Sequence, residues 1–368
     1  MATNQPIDRR RQPCPPVRGF TIVELLVVIS IIALLVGILL PAIGRARDAA
    51  LLTRSSVNLR NLGTANAAYS TDWNDRQWTA CPDDIGLYNG SCATYLQNSC
   101  PSQLLLGWQG PAMVGYYLGS GGQCSTFSYP GNCANWTIYW PSTWTPNAVS
   151  GAFRLPNVKS FNGYLTGRFY DAIYYAPKDT LVLDKAEKYF SSPNEFDSVD
   201  GSEIVLSSYC FSPAAMWHPD VLSLNHSTGK YWRTPSSLAS AWKSPAAGQA
   251  TYPDLKTRML EHSWLQNPQA TANPSFAGGE TPYYFNHSYS SAPVTLFFDG
   301  HVSAASTADA MDADQRASND SGHGLWSRDT PLGANGYYGS IAYDWVVDTS
   351  YHVLTIDGIL GRDFLGAR

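Results

Sequence analysis

Glu24 is the residue whose placement most demands a chemical task. It stands in the run FTIVELLVVISIIALLVGILLPAI, Phe20 to Ile43, where only Ser30 and Gly37 interrupt large apolar residues or Ala between Leu25 and Leu40. A carboxylate at membrane depth costs on the order of 2–3 kcal/mol even on the lenient insertion scale. An anchor without a task would lack it. Near the start of a helix the dipole favours an anion, so the position suits a carboxylate that meets a cation.

Other reactive side chains are spread through the chain. Seven Cys are present: Cys14, Cys81, Cys92, Cys100, Cys124, Cys133 and Cys210. Five of them fall within residues 81–133, and no C-x₂-C pair of the kind common in zinc sites occurs. Seven His are scattered, with His218 and His226 forming a weak pair. His287, Asp299 and His301 offer a metal-type set, but Asp299-Gly300 between Val294–Phe298 and Val302 reads more simply as the turn of a hairpin near 294–303. Asp309, Asp312, Asp314, Asn319 and Asp320 read as an acidic loop, a solvated surface with oxygen ligands that suit calcium. Their spacing is not that of an EF-hand. No G-x-S-x-G, H-E-x-x-H or phosphate-binding Gly loop is present, so no enzyme is expected.

The elements that must carry these residues follow from charge and periodicity. Residues 1–19 hold Arg9, Arg10, Arg11 and Arg18 against Asp8 alone, leaving a body with 20 basic and 28 acidic groups. A basic head before an apolar run stays cytoplasmic by the positive-inside rule, and the body is exported. Leu25–Leu40 spans roughly 24 Å as helix, and its flanks extend it to the roughly 20 residues that cross a bilayer. The apolar region is overlong for an ordinary cleaved signal. Pro41 removes the helical partner of the Gly37 carbonyl, so Gly37–Pro41 is expected to kink or melt. Beyond it Ala42, Ala46, Ala49, Ala50, Leu52, Leu59, Leu62, Ala65 and Ala68 keep an apolar side opposite Arg45, Arg47, Asp48, Arg54 and Arg60. The helix is expected to end near Thr71-Asp72, after about 50 residues and roughly 75 Å.

From Trp73 the composition shifts to Tyr, Trp, Ser, Asn, Gly and Pro. Strands are expected at Thr180–Leu183, Glu203–Leu206, Val294–Phe298, Ile341–Val347 and His352–Ile356. The overall expectation is α+β: a long helix packed on an antiparallel sheet with large insertions. Aromatic residues make up 13% and charged residues 14% of the chain, which excludes a disordered protein. A net charge of −5 gives no basic field for nucleic acid.

Gly19-Phe20-Thr21-Ile22-Val23-Glu24, with its basic leader and Pro41, resembles the processing site of type IV pilins and type II secretion pseudopilins. The resemblance covers about 30 residues. It implies cleavage after Gly19 by a prepilin peptidase that also methylates the new N-terminal Phe20. It implies a leader over 1–19, a transmembrane then amphipathic stalk helix over 20–72, and an exported head over 73–368. It implies assembly with other pilin or pseudopilin subunits, alike or different, on an inner-membrane platform, with Glu24 meeting the Phe20 amine of a neighbour. The protein is then single-pass in the inner membrane, its head in the periplasm or at the cell surface. Removing the leader discards Cys14 and leaves six Cys, which in an exported head read as up to three disulfides among Cys81, Cys92, Cys100, Cys124, Cys133 and Cys210; buried thiols or a zinc site are the alternatives. The family's major pseudopilins hold calcium in a C-terminal loop, which makes Asp309, Asp312 and Asp314 the candidate ligands. Otherwise no cofactor is expected. The Asp299-Gly300-His301-Val302 segment resembles a domain of large planctomycete-type prepilin proteins with His, nine residues, then Asp-Gly; here eleven residues separate His287 from Asp299.

Three functions of different class are open on the sequence. The first is a filament subunit. The second is a membrane-tethered adhesion module whose Trp and Tyr stack on polysaccharide or another surface ligand. The third is a hydrolase borrowing the export signal.

Overall fold

The computed structural model describes residues 19–79, 105–109, 112–115, 142–145, 148–191, 205–262, 291–330 and 351–366. Its first element, α1, is one unbroken helix over Ile22–Asp72. The chain divides after Ala50 into two compact units. In the first, every large apolar side chain from Phe20 to Ile43 is exposed, on a helix long and apolar enough to cross a membrane. The helix also runs through Gly37 and Pro41, so the melted segment expected there is not found. Proline removes one i→i−4 bond, and the turns on either side carry the helix past it.

In the second unit α1 presents Ser55, Leu59, Leu62, Ala65, Asn66, Tyr69 and Ser70 as its buried stripe. These positions recur at three- and four-residue steps, the period of one helix face. The stripe faces a four-stranded antiparallel sheet in the order β5 (Tyr209–Phe211), β6 (Thr257–Glu261), β7 (Val294–Phe297) and β8 (Val302–Ala304). Two separate hairpins pair β1 (Leu105–Gln109) with β2 (Ala112–Gly115) and β3 (Ser142–Thr145) with β4 (Ala148–Gly151). The fold is thus α+β.

Helix and sheet approach closely at Gly63, where an added Cβ would lie 2.9 Å from Leu296 Cδ2. Gly63→Val is expected to lower stability by roughly 1–3 kcal/mol through overpacking. Gly63→Ala should be near neutral, because about 1 kcal/mol of helix propensity offsets the shift it forces on Leu296. Thermal unfolding of the two variants checks the order.

The Asp-Gly hairpin forms as expected. β7 and β8 pair Leu296 with Val302, and Gly300 takes the left-handed conformation at φ 89°. Four other expectations are corrected, the last in part. Thr180–Ala186 is a helix, α3, that follows a short α2 at Lys159–Asn162. Leu, Ala, Asp and Lys favour the helix, and its C-terminal extension docks by stacking Tyr189 on Tyr170 at 4.7 Å between centroids. His352–Ile356 is a run of turns, with one bridge from Thr355 to Trp326. His352 and Asp357 sit at φ 53° and 61°, which a strand does not permit. Asp309–Asp320 is no loop but the body of α5, Thr307–Ser321, after the short α4 at Pro213–Met216. The Ser306 hydroxyl caps α5 by accepting from Asp309 N at 2.9 Å, and Gly322 closes it at φ 80°. Val205 and Leu206 are not in a strand. Glu203, Ile204, and Ile341–Val347 lie outside the described residues.

Candidate functional site

Gly19, Phe20 and Thr21 precede the helix, and the first backbone bond of α1 runs from Leu25 N to Thr21 O at 3.1 Å. Nothing lies within 4 Å of the place where a Gly19 Cβ would be, and Phe20 is 72% exposed. The Gly19–Phe20 peptide is therefore presented as an open, non-helical segment, the form in which a peptidase can reach it.

Glu24 is engaged just behind it. Glu24 N donates to Thr21 Oγ1 at 3.2 Å, while Glu24 Oε2 accepts from Thr21 N and Thr21 Oγ1, both at 2.8 Å. This is a capping box: each residue satisfies a helix-terminal donor on the other. Its effect is to start the helix at Ile22 and to hold a carboxylate one turn from the Phe20 nitrogen. Thr21 is thus a site residue that the sequence reading passes over, although the spacing Thr-x-x-Glu before an apolar run signals it.

The other sequence candidates do not converge. Asp309, Asp312 and Asp314 are spread along α5. Asp312 pairs with Arg316 Nε at 2.9 Å, and buried Asp314 accepts from Leu325 N at 2.6 Å and Arg328 Nη2 at 2.8 Å. Gly324 is needed beside Asp314 because a Cβ would fall 2.0 Å from its Oδ1. Among the described residues no group of three or more His, Cys, Asp or Glu is placed to hold a metal ion. His301 Nδ1 lies 2.6 Å from Asp299 Oδ1, and its ring stacks on Phe297 at 4.2 Å, so both residues serve the turn. His287 lies outside the described residues. His218 Nδ1 accepts from Asp220 N at 3.3 Å, and burial lowers its imidazole below the usual range. His226 lies on the exposed 225–229 turn. Cys210 is buried in β5, and the other five Cys of the proposed disulfides lie outside the described residues.

Two buried polar clusters go beyond what the sequence suggests. In one, Ser55 Oγ on α1 donates to Glu261 Oε1 on β6 at 2.6 Å and lies 3.0 Å from Tyr209 Oη on β5. Asn58 Nδ2 adds a bond to the same Tyr209 hydroxyl at 3.3 Å. These bonds fix the position of the helix along the sheet. In the other, Lys256 and Asp363 pair at 3.0 Å with both side chains fully buried. Asp363 also accepts from Thr257 N at 2.9 Å, His352 N at 3.0 Å and Thr355 Oγ1 at 2.5 Å. It thereby ties the C-terminal segment to β6.

His352, inside that cluster, gives a pH prediction. Burial pushes its imidazole well below the ordinary value, and the Lys256 ammonium adds to the effect. The unfolded chain takes up a proton there near pH 6.5 and the native chain does not. Stability therefore falls as pH drops below about 6.5, by at most one proton's worth, about 1.4 kcal/mol per pH unit. His352→Asn tolerates the positive φ and should flatten the melting temperature between pH 7 and pH 5 in a pH series.

Compared with known proteins, residues 15–40 match the family model of the prokaryotic N-terminal methylation motif. Searches of curated proteins and of solved structures return no match. The matched segment contains Gly19, Phe20, Thr21 and Glu24 together with most of the membrane-length part of α1. The chain therefore carries a prepilin-type N-terminal signal.

Proposed function

We propose that this chain is a structural subunit of a filament of the type IV pilus or type II secretion pseudopilus kind. It is cut after Gly19 by a prepilin peptidase, methylated on Phe20, held in the inner membrane by α1 with its head exported, and assembled through that helix on a membrane platform. The observation that carries the reading is the open Gly19–Phe20 peptide followed by the Thr21–Glu24 box, inside a segment matching the methylation motif. Cleavage turns the Phe20 nitrogen into a cation. Glu24 then offers a neighbouring subunit's amine a partner, and the pair sets the stagger of one helix against the next. We assign no catalytic activity to the head, and we read the 294–303 hairpin as the mark of the planctomycete-type prepilin class.

The adhesion reading gains less. It needs aromatic faces on the surface, whereas the largest fully buried side chains among the described residues are Trp78, Trp217, Tyr69, Tyr174, Tyr175, Tyr209, Tyr351 and Phe161. They build the core.

Mass spectrometry of the mature N-terminus tests the proposal. The expected chain begins at Phe20 with one methyl group on its amine. A chain beginning at Met1, or one beginning beyond Gly44, overturns it.

A further inference from the structure

Arg258 is the described side chain whose surroundings least explain it. It is 7% exposed, on β6 at the bulge between Thr257 and Met259. Its Nε and Nη2 are buried without a hydrogen-bond partner, and no carboxylate among the described residues forms an ion pair with it. Burial lowers the guanidinium to about 10, with the field of Asp75 acting in the opposite direction. The Phe298 ring, 5.2 Å from Cζ, supports one face of the guanidinium. A buried charge left this way is costly, and a planar fork of donors is the group best shaped to receive a carboxylate.

The side chain lines an open hollow on the surface with Ala67, Ser70, Thr71, Asp75 and Ala247, of which Ala67, Thr71 and Asp75 are exposed. Ser70 and Thr71 spend their hydroxyl hydrogens on the Asn66 and Ala67 carbonyls, so the wall keeps two charged features. One is Arg258. The other is negative, made of Asp75 and the last turn of α1, where the dipole favours cations. Asp75 is built in rather than incidental. It is held at φ 64°, its N donates to Ser70 O at 2.8 Å, and its Oδ2 accepts from Gly248 N at 3.1 Å. A Cβ on Gly248 would meet that oxygen at 2.8 Å, so a larger residue there would displace the Asp75 carboxylate.

A simple anion would meet Arg258 but be opposed by Asp75 and the helix end. A simple cation would meet the reverse. A molecule with both charges on adjacent atoms satisfies both walls. We propose that this pocket binds a small zwitterion of the α-amino-acid class, its carboxylate on the Arg258 guanidinium and its ammonium between Asp75 and the end of α1. The apolar walls at Ala67 and Ala247 leave space for a compact side chain. The inference stands apart from the filament reading, since it uses neither Phe20 nor Glu24.

The test uses the full chain in detergent, with thermal unfolding followed in the presence of each standard L-α-amino acid at millimolar concentration. For each one that stabilises, the matching acid without its amino group and the matching amine without its carboxylate are run alongside. At least one amino acid should raise the melting temperature saturably, and both analogues should bind about tenfold more weakly or worse, the loss expected for removing one charged partner. Arg258→Met should abolish the effect and, without ligand, melt no lower than the parent, because it removes an uncompensated charge; a structural arginine would instead melt lower. Asp75→Asn should weaken binding and leave the fold intact. Stabilisation by no amino acid overturns the proposal, and so does a des-amino acid that binds as well as its parent.

Discussion

Glu24→Ala is expected to leave cleavage after Gly19 and methylation of Phe20 in place and to reduce filament yield by two to three orders of magnitude. The magnitude follows from what remains when the carboxylate is removed. A cationic amine on Phe20 is then left without a partner among packed apolar helices, and stranding one member of a buried pair costs roughly 3–5 kcal/mol. At about 1.4 kcal/mol per tenfold in association, that is a loss of roughly two to three orders of magnitude. Glu24 has a second duty, since its carboxylate caps α1 through Thr21. Thr21→Ala separates the two duties. It removes the hydroxyl half of the box, worth about 1 kcal/mol, but keeps the charge, so its assembly defect should be no more than about tenfold. Electron microscopy of sheared filaments, with mass spectrometry of the N-terminus on the same cells, reads both variants. Normal filaments from Glu24→Ala, or equal defects in the two variants, would sink the charge-pairing argument.

How much of this was legible depends on whether the cause is local in sequence. The apolar run, Glu24, and the end of α1 at Asp72 are written in composition and period, and the sequence reading places them. The Asp299-Gly300 hairpin is equally local, because the turn needs a residue that accepts positive φ. Thr180–Leu183 is misread because Thr-Leu-Val-Leu looks like a strand, while its neighbours Asp184, Lys185 and Ala186 complete a helix. α5 is misread because its acids resemble a solvated loop, although Ser306, Asp309 and Gly322 carry both cap signals. His352–Ile356 has strand-like residues but is bent by Asp363, which collects its bonds from Lys256, Thr257, His352 and Thr355. No short window of sequence holds Lys256 and Thr257 together with Asp363. The same is true of Arg258 and Asp75, brought to one hollow only by docking the end of α1 over β6. The apolar helix and the Asp-Gly turn are thus readable from local sequence, and the polar interior of the head is not.

Asp363→Ala is expected to be the most damaging single change in the head, lowering stability by roughly 3–5 kcal/mol and the melting temperature by about 10 °C. It leaves the Lys256 ammonium fully buried and unpaired, and it orphans the Thr257 and His352 amides. The double variant Lys256→Met, Asp363→Leu removes both charges and should recover much of the loss, because an apolar pair of similar volume often matches a buried ion pair. The pH dependence identifies the cause. Burial already lowers the Lys256 ammonium below its usual value, with Asp363 opposing. Without Asp363 it falls further, so the native chain releases that proton at lower pH while the unfolded chain keeps it to about pH 10.4. Where the unfolded state binds more protons, stability rises with pH. The deficit of Asp363→Ala relative to the parent should therefore be largest near neutral pH and shrink toward pH 10. Thermal unfolding of the parent, the single and the double variants across that range decides the matter. A deficit independent of pH would mean that the lost amide acceptor, and not the stranded ammonium, governs the defect.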